Sequence, residues 1–495
     1  MSQKSRLQNP FINRIYFHRL GPLCIVLFLL SPLAARAKLY YVSNLGDDSG
    51  NGLSPETAWK SLDRVNAGPF EPNDVIRFHR GDAWRGQLIP FGGNAAAHVT
   101  YGAYGAGQKP LLLGSISANK PQDWQQDQDN LWSTASVFPA DIGNIIFNGG
   151  ESVGIKKWTQ NDLTQPGDYW YDPECRRVKL YCSKNPELSY TSIELALNRH
   201  IIPVSGKSYI IFEDLALRYG AAHGIGSSNT HHTMIRRCDL SYIGGGHQFT
   251  TEAGHPVRFG NAIEFWSNAH DHLVEQCRIW EIYDAALTNQ NNAPNVKQYN
   301  IAYRQNLIWN CEYSFEYWNR PENSLTYNIL FEHNTCVNAG HGWGHHQRPD
   351  PSGRHLCFYS SPAVAHDINL RNNIFFQALG NAFYAPDWPA DSINKLNMDH
   401  NCWYQPAGTM ILLKSQSFAM NEFASYQAAL KKEPHSIAKD PLFMDITRQD
   451  FHLNRQSPCI DAAANTGQKT DLEGTAIPQG AAADIGAYET PQILP

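Results

Sequence analysis

Charge is scarce in this chain. Asp, Glu, Lys and Arg make up 17% of its 495 residues, against about a quarter in an ordinary globular chain, and the formal net charge is −6. No stretch is basic enough to follow a phosphate backbone, which argues against nucleic acid as a partner. After residue 30 no apolar run approaches the ~20 residues of a membrane-spanning helix. CxxC pairs and His/Cys spacings of the zinc-site kind are missing. Also missing are the 3.6-residue period of helical repeats and the Leu-dominated frame of leucine-rich repeats. What is plentiful is aromatic residues, at 12%, together with 37 Gly and 29 Pro. This is ordered, turn-rich and β-rich material.

The first 37 residues read as a targeting segment. Lys4, Arg6, Arg14 and Arg19 supply positive charge around an apolar run from Leu20 to Leu30, and Ala35-Arg36-Ala37 fits a small-residue cleavage site. They predict a signal peptide over 1–37 and a secreted or periplasmic mature chain with no membrane span; an uncleaved anchor is the competing reading. Of ten cysteines, Cys24 falls in this segment. The remaining nine are an odd number and cannot all pair with one another. Cys175 and Cys182 flank a short hairpin-like run and are placed to form a disulfide. Most of the others sit in apolar strands as small buried residues.

Residues 205–405 carry a repeat. Seven segments align without gaps, ending at Leu215, Leu240, Ile279, Leu307, Thr335, Ile374 and Cys402. Their near-constant period, stretched by two inserts, marks a solenoid. The first position is apolar throughout: Tyr209, Met234, Leu273, Ile301, Ile329, Ile368 and Leu396. The next-to-last is mostly Asn or Asp: Asp214, Asp239, Arg278, Asn306, Asn334, Asn373 and Asn401. A stacked Asn column suits a coil corner, because the side chain bonds backbone and tolerates left-handed turns. A second strand per repeat places Ile263, Leu287, Phe315, Trp343 and Phe383 inward. Stacked β-coils follow, so the fold class is all-β, a right-handed parallel β-helix. The expected layout is an N-terminal cap and first coils over 38–200 with a β-insertion near 115–200, coils carrying the site over 201–430, and a C-terminal coil and cap over 431–495.

The opening segment LYYVSNLGDDSGNGLSPETAWKSLDRVN and the closing segments DPLFMD, FHLNRQSPCIDAA and ADIGAYE resemble those of secreted bacterial right-handed parallel β-helix proteins. That group includes polysaccharide lyases and glycoside hydrolases. The resemblance implies the architecture and a polysaccharide partner. The catalytic Lys–Arg pair of a lyase family has no match at identifiable positions here.

With the third strand position inward, the second, fourth and sixth face outward. The second is small (Ala262, Ala286, Ser314), leaving room for a ligand. The fourth and sixth carry Glu264, Glu316, Trp266, Gln290, Trp318 and His346. Trp stacks on sugar rings and carboxylates bond their hydroxyls. Glu264 and Glu316, two coils apart, have backbones roughly 10 Å apart, compatible with the carboxyl spacing of an inverting glycosidase. Asp284 and Glu312, on adjacent coils, make a second candidate acid–base pair; alternatively they cap turns. The segment 340–355 gathers His341, His345, His346 and Arg348, with Arg320 nearby. These suit a lyase, which needs a cation for a uronate carboxylate and a base for its C5 proton. The motifs require no cofactor; they leave open a calcium ion held by carboxylates, and more weakly a metal at His341 and His345.

The expected function is cleavage of a polysaccharide by a monomeric secreted enzyme. Hydrolysis is favoured, with Glu316 as acid and Glu264 or Asp284 as base. Trp318, Gln290, Trp266, Glu312, Arg320, His341, His345, His346 and Arg348 are expected to bind substrate. The alternatives are β-elimination on a uronate polymer and a non-catalytic glycan-binding or adhesion module.

Overall fold

The computed structural model describes residues 37–491, so the expected signal peptide, but for Ala37, lies outside the described residues. Within them the chain winds into a right-handed parallel β-helix built of three stacked sheets. Each turn gives one strand to each sheet in a fixed order: Ile210–Glu213, then Ala216–Arg218, then Ile225–Ser228, before the next turn opens at Thr233–Arg236. The right-handed course is the one that twisted parallel strands impose on their connections. The first sheet has ten strands, from Leu39–Val42 to Leu396–Asp399; the second has nine, from Ala83–Arg85 to Cys402–Tyr404. The third, also nine, runs from Ile202–Pro203 to Gln416–Phe418, the last strand antiparallel. No helix among the described residues is long and apolar enough to cross a membrane.

Alternation along the strands fills the interior. In the third sheet Ile225, Ile263, Leu287, Phe315, Leu356, Phe383 and Ile411 stack in register and are fully buried. Burial of each such side chain contributes about 1.5–3 kcal/mol. The first sheet adds Phe212, Ile235, Val274, Tyr303, Phe331, Leu370 and Met398.

The ungapped alignment slips twice: by two residues between Tyr209 and Met234, since Ile211 is the residue that pairs with Met234, and by one after Leu273. Leu273 pairs with Ala302, not Ile301, and the inward residue of its coil is His272, stacked on Phe265 at 4.0 Å. These slips move the corner column, which reads Leu215, Cys238, Cys277, Asn306, Asn334, Asn373 and Asn401; Asp214, Asp239 and Arg278 lie outside it. Asn306, Asn334 and Asn373 each donate Nδ2–H to the Oδ1 of the next Asn at 3.0–3.1 Å. Their backbone N–H groups bond the same oxygens. The left-handed conformation falls on the residue before each Asn: Gln305, His333, Asn372 and His400.

Outside the first sheet one column alternates in charge: Glu213, Arg236, Glu275, Arg304, Glu332, Arg371 and Asp399. Arg236 reaches Glu213 at 2.7 Å, Arg304 reaches Glu275 at 2.7 Å and Arg371 reaches Glu332 at 2.9 Å. Strands between Ser115 and Leu197 form two small, largely antiparallel sheets beside the coils. Phe451, Leu453, Ile485 and Tyr488 pack on Leu307, Trp309, Val337 and Ile374 of the second sheet. Cys175 and Cys182 are unbonded, one exposed and one buried, so the expected disulfide does not form; the other seven described cysteines are buried thiols.

Candidate active site

The same alternation that buries Leu287 and Phe315 turns their neighbours outward. Glu264, Thr288 and Glu316 stack across three coils, and two residues further on Trp266, Gln290 and Trp318 stack beside them. His346 does not continue this row. The strand paired with Tyr313–Asn319 is Arg354–Phe358, so Phe315 faces Leu356 and Glu316 faces Cys357. Residues 340–353 leave the coil as a loop instead. Gly340 and Gly353, both with positive φ, close its neck, and a Cβ on Gly340 would meet Gly353 Cα at 2.6 Å. Trp343 therefore does not join the inward column. It packs on Tyr283 at 5.5 Å and its Nε1–H donates to Glu281 O.

Over this face lies a cleft of about 590 Å³, within the ~300–1,000 Å³ usual for small-ligand sites. Glu264, Asp284, Gln290 and Glu316 form its floor. Phe249 and Phe259 line it from the hairpin Gly246–Thr250/Pro256–Phe259, and Arg348 and Asp350 line it from the 340–353 loop. Arg258 ties these parts together: it donates to Gly245 O, to Gly143 O of the insertion and to Gln347 Oε1 of the loop. Trp266 meets Trp318 edge-on at 5.1 Å, and Arg320 lies over the Trp318 ring at 4.4 Å. Arg320 has no carboxylate within ion-pair distance among the described residues.

Three carboxyl groups share this floor. Burial pushes Glu264 up to about 8, with Asp284 adding to the effect. Burial and then Asp284 raise Glu316 well above the ordinary carboxyl range, while Gln290 Nε2–H bonds its Oε2 at 2.6 Å. Asp284 is also raised by burial, but Arg348 opposes that from 3.1 Å. Arg348 itself is buried, which disfavours its charge, yet Asp284 holds it well above its ordinary value. Burial thus biases all three carboxyls toward the neutral form, and the Arg348 guanidinium at 3.1 Å opposes that bias at Asp284.

His223 was not legible as a site residue. Its Nδ1 accepts from Asn261 N–H at 2.9 Å, which leaves the proton on Nε2, 3.0 Å from Glu264 Oε2. Burial and then the stacked His200 lower its pKa well below the usual value, so it donates as a neutral ring. Only its place in the strand-three register, one turn before Asn261, could have pointed to it. Tyr359 also lines the cleft, and its hydroxyl bonds Tyr313 at 3.0 Å.

Four expected substrate residues are not brought into the cleft. Glu312 is fully buried and accepts from His345 Nδ1 at 2.9 Å, Ser352 N–H at 2.6 Å and Gly353 N–H at 2.9 Å. It anchors the loop, which is the turn-capping alternative, and His345 is its partner. His346 is exposed and edge-on to His345, and His341 is exposed on the same loop. Groups of three or more metal-type side chains occur at two places among the described residues, and neither includes His341 or His345.

Fold and cleft together define a parallel β-helix protein with a groove of carboxylates and aromatics on one sheet. No protein-family model matches the chain. A lacto-N-biosidase from Bifidobacterium longum subsp. longum is 34% identical over 122 residues, 23% of this chain and 7% of that protein, so the match spans under a tenth of the relative's length. Among solved structures, a glycoside hydrolase superposes with a TM-score of 0.43 at 11% identity, over 77% of this chain and 95% of that one. A GH136 lacto-N-biosidase from Eubacterium ramulus gives 0.42 at 12%, over 76% and 61%. A rhamnogalacturonan lyase gives 0.43 at 11%, over 74% of each. Hydrolases and lyases stand side by side in this set.

Proposed function

We propose that this protein is a glycoside hydrolase acting on a polysaccharide or oligosaccharide bound along the third sheet. Glu316 is the proton donor to the leaving oxygen. Asp284 is the ionised partner, activating water or attacking the anomeric carbon. Glu264, held by His223, bonds a sugar hydroxyl or exchanges roles with Glu316. The observation that carries this reading is that three buried carboxyls line one cleft and, of these, Asp284 alone is ion-paired to an arginine, Arg348 at 3.1 Å; a carboxyl kept neutral by burial beside one paired with a cation is what acid–base glycoside cleavage needs. Trp266 and Phe249 supply ring surfaces for stacking, and the buried Trp318, covered by Arg320, backs Trp266. The local identity to a lacto-N-biosidase supports the hydrolase reading.

Elimination is the second reading, and Arg320 is what favours it, as an unpaired cation for a uronate carboxylate. It is weakened because Arg348 is already committed to Asp284 and the loop histidines lie off the cleft. Export of the mature chain, expected from residues 1–37, is part of the same proposal. The test is product analysis on a panel of acidic and neutral glycans. Hydrolysis yields new reducing ends without ultraviolet absorbance. Growth of the absorbance of a 4,5-unsaturated uronate would overturn the assignment, and binding without any product would leave a glycan-binding module.

A further inference from the structure

The outer face of the first sheet carries a second cluster that the cleft does not use. Consecutive strand residues ordinarily point to opposite faces. Where two adjacent strands begin, that rule is broken, because His232 and Asp271 both have φ of 55°. Each therefore lies on the same outer side as the residue before it. His231 Nδ1 sits 3.0 Å from His232 Nδ1, and His270 Nδ1 sits 2.7 Å from Asp271 Oδ2. One coil separates the two pairs: the rings of His231 and His270 stack at 4.8 Å and 15°, and His232 Nδ1 lies 4.0 Å from Asp271 Oδ2.

The result is a two-by-two array of donors, two from each coil. The ligand atoms of His232, His270 and Asp271 all lie within 4.8 Å of one another. Ligands on ~2.0–2.1 Å bonds in a tetrahedron sit roughly 3.3 Å apart, inside the spread of these three atoms, with a fourth position left for water. Asp271 is oriented from behind, since Asn300 Nδ2–H donates to its Oδ1 at 2.8 Å and Asn328 Nδ2–H donates to Asn300 Oδ1 at 2.8 Å. Such outer bonds are the usual support of a metal ligand. The side chains of His232, His270 and Asp271 are each about a quarter to two-fifths exposed, open to an ion from solvent.

We propose that His232, His270 and Asp271, with His231 stacked on His270 beside them, bind a divalent transition-metal ion of the zinc class, clamping two successive coils. Two imidazole nitrogens and one carboxylate select such an ion over calcium, which takes six or more oxygens. The group Asp399, His400 and His435 is the natural comparator: it has the same donor types, but His435 is 66% exposed.

The test uses tag-free full-length protein stripped with chelator and titrated calorimetrically with Zn²⁺ alone. Wild type is expected to take up zinc saturably at this site. His232→Ala and His270→Ala should each weaken it by at least ~10-fold, and His435→Ala should leave it unchanged. Circular dichroism establishes that each variant is folded. Wild-type protein loaded with Co²⁺ gives a readout independent of any variant, the visible bands of a four-coordinate site. Absence of saturable zinc binding or of those bands in wild type would overturn the proposal, as would unchanged affinity in both histidine variants or loss in His435→Ala alone.

Discussion

Glu316 and Glu264 differ in what surrounds them, and the difference predicts distinct phenotypes. Glu316→Gln keeps shape and hydrogen bonding but cannot deliver a proton. We predict a loss of kcat of ~10²–10⁴-fold with glycan affinity largely kept, measured by initial rates and by calorimetry with the same glycan; turnover within a few-fold of wild type would remove Glu316 from the acid role. Glu264 bears on stability as well. Its pKa is about 8 in the folded chain against 4.5 for an ordinary glutamate, so folding favours its protonated form. That contribution is whole below about pH 4.5 and is lost as pH rises through 8, with a slope of ~1.4 kcal/mol per pH unit in between. Glu264→Gln cannot ionise. The stability of wild type relative to this variant should therefore fall between pH 5 and 8 in denaturant titrations and level off above; a flat difference would mean that Glu264 ionises like an exposed acid.

At the scale of the strand, polar ladders matter as much as apolar columns. The Asn334 side chain receives two bonds from Asn306 and gives one each to Tyr303 O and Asn373 Oδ1. Asn334→Leu strands those buried partners at ~1–3 kcal/mol apiece, so we expect a destabilisation of ~3 kcal/mol or more in urea titrations; a shift below 1 kcal/mol would mean the ladder is dispensable. The Phe315 and Glu316 register was legible because strict alternation leaves one choice of inward face, and the apolar column settled it. Two things were not legible. His272 hid a one-residue slip because an imidazole stacked on Phe265 occupies an inward place that an apolar search assigns to Leu273. The loop at 340–353 hid because the spacing from Glu312 to Gly340 matched a coil, and a glycine-pinched neck has the same period as a strand start. Consequently His346 was drawn into a row it never joins, and His341 and His345 were expected at a substrate they do not face, while His223 had no motif to announce it.

Across the whole molecule, one column joins Glu213 to Asp399 with signs that alternate at every turn. The partly exposed Arg236–Glu213 and Arg304–Glu275 pairs are worth only about 0–1 kcal/mol each, and Glu332 is buried beneath Arg371, yet the order has a consequence for how such a chain lengthens or shortens. Neighbouring rungs attract, whereas rungs two turns apart carry the same sign. Excising one turn, for example the one holding Arg304, would stack Glu275 on Glu332, and like charges placed directly opposite destabilise a sheet. Excising two turns, those of Arg304 and Glu332, would stack Glu275 on Arg371 and restore attraction. We therefore predict that thermal melting drops further for the one-turn deletion than for the two-turn deletion in low salt, and that the gap narrows in high salt; a gap indifferent to salt would locate the penalty elsewhere. In this column the chain keeps a parity: its turns are counted in twos, and duplication of a single turn, like excision of one, sets like charges on neighbouring rungs.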